Sequence, residues 1–230
     1  MKMTRKDFIA FGLGGILTTL STQADAQLVE KPRDWSPAKL HEIMNRPARY
    51  RQVYDITQLG DGVFLNNIKN SLNGLQFSFG IQPSQINIVA ALHGAANLLN
   101  FTDAMWKKYR LGEFTGLKDP KTGEFATRNL YYASGADQAD HNPDSEKSIY
   151  QDKSIQGLQA RGVSFLCCHT ATEEQSRKLI AHLGLKEQPE TVVRDLLAHR
   201  IPGSIVVPAM VATVAILQLD AHFSYITVAA

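Results

Sequence analysis

The feature that most constrains the fold is an alternation of short β-rich runs with helical segments, repeated from residue 51 to the end of the chain. "RQVYDIT" (51–57) is a β-branched run. Phe64, Ile68, Leu72 and Leu75 follow it at three- and four-residue intervals, the spacing of one helix face. "INIVAALHG" (86–94) is almost continuously apolar, as a strand covered on both faces requires. A helix through Leu98, Leu99, Met105 and Trp106 to Gly112 comes next, and then the rhythm breaks. It resumes with a helix over 148–161, the strand "VSFLCC" (163–168), and a helix over 172–184 that ends at Gly184, a natural C′ residue. "ETVVRDLLAHR" predicts a further helix, "SIVVP" a short strand, "AMVATVAILQLDA" an apolar helix and "FSYITV" a last strand. Such alternation predicts an α/β domain of three layers, with a mostly parallel sheet of about five strands and helices on both faces. A chain of 230 residues is long enough for one such domain. Its 24 basic and 22 acidic residues nearly cancel, which gives neither a nucleic-acid footprint nor a polybasic membrane patch.

Three segments fall outside the alternation. Residues 1–26 begin with Lys2, Arg5 and Lys6, continue through an apolar stretch from Phe8 to Leu20, and close on Ala24-Asp25-Ala26. That layout predicts an export signal cleaved after Ala26 and a periplasmic protein, since the apolar stretch is short for a membrane span, with an uncleaved N-terminal anchor helix as the alternative. "TRKDFIAFG" resembles a twin-arginine signal with Lys6 in the place of the second arginine, which leaves the Tat and Sec routes both open. No second long apolar run occurs, so a soluble mature protein is expected. Residues 27–50 mix proline and charge and read as an N-terminal arm with one short helix, ahead of the domain over 51–230. Residues 113–147 are polar, turn-rich and without period. An insertion of that length is a lid, a mobile segment, or a loop folded against its own domain or a neighbouring subunit. The aromatic stretch Arg128-Asn129-Leu130-Tyr131-Tyr132 favours the folded loop over a substrate lid.

The only two cysteines, Cys167 and Cys168, are adjacent at the end of a strand. Successive side chains of a strand point to opposite faces. Val163, Phe165 and Cys167 therefore share one face, and Ser164, Leu166 and Cys168 the other. Thr170 with Glu173, or Thr172 with Gln175, fits a capping box, which places a helix start and its unpaired N–H groups beside Cys168. Such groups and the positive helix end favour a thiolate, an effect that Glu173 and Glu174 offset in part. Cys167 then reads as core and Cys168 as the reactive thiol, with His169 and Thr170 beside it as candidate substrate-binding residues. Two plain core cysteines, a strained vicinal disulfide and a Cys-Cys-His metal site are the alternatives. No Cys-x-x-Cys or His-x-x-x-His pair supports a metal, and no cofactor is expected. There is no third cysteine, which excludes a disulfide to a distant one.

His93 ends a second strand just before Gly94, and ligands of open α/β sheets bind beyond the carboxyl ends of the strands. His93 and Cys168 thus share one rim, and His93 is otherwise a capping or core histidine. In a flavodoxin-like sheet of order 2-1-3-4-5 the first strand lies between theirs, leaving about 10 Å. His182, His199 and His222 read as surface residues without partners. A flavodoxin-like FMN site is disfavoured, because "DITQLGDG" (55–62) lacks a Ser/Thr-rich phosphate cradle.

"LNNIKNSL", "NIVAALHGAANLL", "GVSFLCCHTA" and "VVPAMVATVAILQLDAHFSYITV" resemble, in order and spacing, the DsrE/DsrF-like family of sulfur-relay and related proteins. The resemblance covers roughly residues 51–112 and 148–228. It implies a compact α/β domain that assembles as a homo-oligomer, a trimer or a hexamer. It also implies a cysteine that accepts and passes on sulfur as a persulfide, from a small sulfur species or a partner sulfur-transfer protein. Gly162, Val163 and Phe165 match the family's pattern and place that cysteine on Cys168, while the family's His-Gly pair falls on His93 and Gly94. The long insertion and the export signal depart from the family's cytoplasmic sulfur carriers. Two functions are therefore carried forward. One is a periplasmic sulfur-handling protein with Cys168 and His93 as catalytic residues and Gly94, His169 and Thr170 at the substrate. The other is a non-catalytic oligomeric binding or assembly module whose cysteines are structural.

Overall fold

A computed structural model of the chain describes residues 35–228. The five strands are β1 (Tyr50–Ile56), β2 (Ile86–Leu92), β3 (Ser164–Cys168), β4 (Ile205–Val207) and β5 (Ser224–Thr227). They form one parallel sheet in the order β4-β3-β2-β1-β5. The helices are α1 (Pro37–Asn45), α2 (Val63–Asn73), α3 (Asp103–Lys108), α4 (Leu111–Thr115), α5 (Ile155–Ala160), α6 (His169–Leu183), α7 (Pro189–Ala198) and α8 (Met210–Leu219). The chain is a three-layer α/β domain, as the alternation predicts. Its strand order is not 2-1-3-4-5: β1 does not separate β2 from β3, which pair directly with Leu92 beside Cys167. From β1 to β4 every crossover steps to the same side. The last connection, through α8, returns over the opposite face and lays β5 along the outer side of β1.

Two apolar layers sandwich the sheet. In the larger, Phe64 and Ile68 of α2, Trp106 of α3, Leu158 of α5, Leu179 of α6 and Leu196 of α7 pack with Ile88, Leu92, Phe165 and Cys167. In the smaller, Leu40 and Ile43 of α1 and Met210, Val214 and Leu217 of α8 pack with Val53, Val89, Leu166 and Cys168. Every side chain of β2 is buried, which accounts for its unbroken apolar run.

Two expected helices are shorter than their patterns. The segment from Leu98 to Gly112 divides into a 3₁₀ stretch (Gly94–Asn100), α3 and α4, with Arg110 in a left-handed conformation between the last two. The helix expected over 148–161 is reduced to α5. Ser148 Oγ accepts from the Tyr150 N–H, Asp152 Oδ1 from the Ser154 N–H, and Ser154 Oγ caps α5 at Gly157. These local side-chain bonds hold the backbone out of a helix until Ile155. The insertion folds against its own domain: the buried Asn129 donates its side-chain amide to the carbonyls of Leu99 and Phe101, and its N–H to Asp103. The segment expected to be an export signal, 1–26, and the start of the expected arm lie outside the described residues. No helix among the described residues is long and apolar enough to cross a membrane.

Candidate functional site

The pleat of β3 separates the two thiols as the alternation requires, Cys167 into the larger layer and Cys168 into the smaller. Cys167 is completely buried, and burial pushes its thiol up to about 12, although a hydrogen bond with Thr172 acts in the opposite direction. Cys168 is also buried, at 4 % exposure. Its sulfur lies where two helices begin. The Ala171 N–H, in the first turn of α6, donates to Cys168 Sγ at 3.4 Å, and the Met210 N–H, at the start of α8, donates at 3.3 Å. Cys168 is itself the N-cap of α6, so the helix begins at His169 rather than at either expected capping box. The reason lies in where the threonines' bonds go. Thr170 bonds through both its N–H and its hydroxyl to the Pro208 carbonyl, and the Thr172 hydroxyl donates to the Cys168 carbonyl.

Asn97 holds this junction from the 3₁₀ stretch that follows the neighbouring strand β2. Its Oδ1 accepts from the Cys168 N–H at 2.8 Å, and its Nδ2 donates to Thr172 Oγ1 and Gln175 Oε1. Gln175 in turn donates to the Gly94 carbonyl. Gly94 has a positive φ of 53°, and a Cβ there would stand 2.7 Å from the Thr57 carbonyl oxygen, so this turn requires glycine. His169 is buried in the first turn of α6, with Nδ1 3.7 Å from Glu173 Oε1. Of the candidate substrate-binding residues, Gly94, His169 and Thr170 thus frame the junction.

His93 follows β2 directly, one strand away from Cys168 and on the same face of the sheet, a separation of about 4.8 Å between backbones. Its ring turns to the other side. Nε2 lies 2.6 Å from Asp55 Oδ1, and Asp55 Oδ2 accepts the Tyr225 hydroxyl at 2.6 Å. Asp55 is the second-last residue of β1, Tyr225 lies on β5 and His93 follows β2, so a Tyr225–Asp55–His93 chain runs across three neighbouring strands at the carboxyl rim. The hydrogen bond to the Asp55 carboxylate, with a smaller contribution from burial, raises the Tyr225 phenol above its ordinary value. Among the described residues no hydrogen bond joins His93 to Cys168. His182 and His199 are exposed but not without partners: His182 lies 3.5 Å from Glu113, and His199 Nδ1 is 2.8 Å from the Asp195 carbonyl oxygen.

Asn97, Asp55, Tyr225 and Met210 are the contributors that sequence reasoning missed. Only Asn97 left a signal, as a polar residue inside the apolar run "ALHGAANLL". Compared with known proteins, the chain matches no family model, no curated protein and no solved structure.

Proposed function

We propose that the protein is an exported, homo-oligomeric DsrE-like protein that accepts and passes on sulfane sulfur at Cys168. The observation that carries this reading is the sulfur's position at two helix starts, with a main-chain N–H from each directed at it. Hydrogen bonds and positive helix ends favour negative charge on sulfur, and both a thiolate and a persulfide carry that charge. In the reaction the Cys168 thiolate attacks the outer sulfur of thiosulfate. A new S–S bond forms, the bond to the sulfonate sulfur breaks, and sulfite leaves with the electron pair. The product is a Cys168 persulfide, which a partner thiol can take up. His93, oriented by Asp55, serves to hold the arriving anion or to exchange a proton with it.

The 4 % exposure of Cys168 favours a second reading, in which the thiol is a structural cap and the protein a binding or assembly module. Mass spectrometry after exposure to thiosulfate or polysulfide separates the two. The sulfur-handling reading expects added sulfur on Cys168, lost in Cys168→Ser and kept in Cys167→Ser. No adduct, or one that survives Cys168→Ser, rejects it.

A further inference from the structure

The insertion walls a cleft of about 640 Å³ bordering the larger core layer, whereas Cys168 belongs to the smaller. Four cations line it, Lys118, Lys121, Arg128 and Lys153, against two carboxylates, Asp61 and Asp152. The net charge of the whole chain is only +2. Folding therefore leaves the lining of this cleft with an excess of two positive charges, one of the cations, Arg128, being paired with Asp119 at its edge. Three of the four cations come from the insertion, so the positive charge is a property of the segment that interrupts the regular alternation.

The carboxylates offset part of it, and Asp152 and Asp119 are held in local bonds. Both oxygens of Asp152 are engaged, Oδ1 by the Ser154 N–H and Oδ2 by the Ser134 hydroxyl at 2.5 Å. Asp119, beside the cleft, holds Arg128 at 3.0 Å, which fixes the guanidinium but leaves its other N–H groups to donate elsewhere. Burial holds the Lys69 ammonium below its ordinary value, with Lys153 of the cleft and Arg161 adding to the effect. Leu65, Leu130 and Tyr131 supply an apolar wall. The Tyr131 ring is seated on Gly62, where a Cβ would stand 2.6 Å from it, and its hydroxyl donates to the Gly60 carbonyl. Burial raises the Tyr131 phenol, with Asp61 adding to the effect, so the ring contributes no charge of its own at neutral pH.

We propose that this cleft binds a small molecule carrying a diphosphate and an aromatic ring, with the phosphates facing Lys121, Arg128 and Lys153 and the ring on Tyr131 and Leu130. A cluster of lysines with one oriented guanidinium suits a compact group of several negative charges better than a single carboxylate. The wall suits a flat apolar partner. The inference is independent of the chemistry at Cys168.

Calorimetric titration of the full chain with ADP, adenosine and pyrophosphate tests it, with Lys121→Gln/Lys153→Gln as the variant and Lys107→Gln, on α3, as the control. Expected are saturable ADP binding roughly tenfold tighter than that of either fragment, a further loss of roughly tenfold in the double variant, and weakening by salt. The control binds as wild type, and circular dichroism shows all three proteins folded. The absence of saturable ADP binding, or ADP binding that the double variant leaves unchanged, overturns the proposal. Pyrophosphate binding as tightly as ADP overturns the aromatic half of it.

Discussion

Burial holds the Cys167 thiol neutral across the physiological range, outweighing the Thr172 hydroxyl and the Arg200 charge, which act in the opposite direction. One residue later the setting is different: two main-chain N–H groups converge on Cys168 Sγ. This division was legible from the two-residue period of a strand, which needs no knowledge of what packs on either face. The partners of His93 were not legible, because Asp55 and Tyr225 reach it only through a strand order that local sequence does not encode. Their chain makes a prediction. The Tyr225 phenol is raised from 10.0, chiefly by its bond to Asp55. A raised phenol stabilises the fold fully below the unfolded value, and that contribution is lost as pH rises through the folded one. Asp55→Asn removes the carboxylate charge, so the Tyr225 phenol then ionises at lower pH. Ultraviolet titration against a Tyr225→Phe reference measures this, and an unchanged midpoint would show that the bond does not govern Tyr225.

Helices and strands were legible wherever apolar spacing was long and regular, as in α2, β2 and α8. Their ends were not, because distant side chains set them. The start of α6 is fixed by a sulfur cap and by the Pro208 carbonyl, and the 3₁₀ stretch after β2 by bonds among Asn97, Asn100 and α6. Asn97 ties three of these elements together. In Asn97→Ala the buried Cys168 N–H and Gln175 Oε1 lose their partner, Thr172 loses one of its bonds, and an unsatisfied buried group costs about 1–3 kcal/mol. Urea unfolding of this variant is expected to show a loss of about 2–4 kcal/mol on that basis. A loss within about 0.5 kcal/mol, the size of an ordinary surface change, would mean that the junction does not depend on Asn97.

The smaller layer leaves one side of α8 uncovered: Val211 and Leu219 are 74 % and 75 % exposed, with Ile216 between them on the same side. Exposed apolar side chains gathered on one helix face suit an interaction surface, which supports the proposed homo-oligomer. Val211→Glu with Leu219→Glu is expected to shift the full chain to monomer in light scattering. An assembly that survives both charges would place its interface elsewhere. At this scale the layered α/β class was legible from alternation alone, while the neighbouring positions of His93 and Cys168 came only from the order of the strands. Whether Cys168 is the reactive thiol is answered most directly by native thiol titration with iodoacetamide, comparing wild type, Cys167→Ser and Cys168→Ser. One labelled thiol is expected in wild type and in Cys167→Ser at the same rate, and none in folded Cys168→Ser. Labelling that follows Cys167, or none in any folded protein until urea is added, would contradict this expectation.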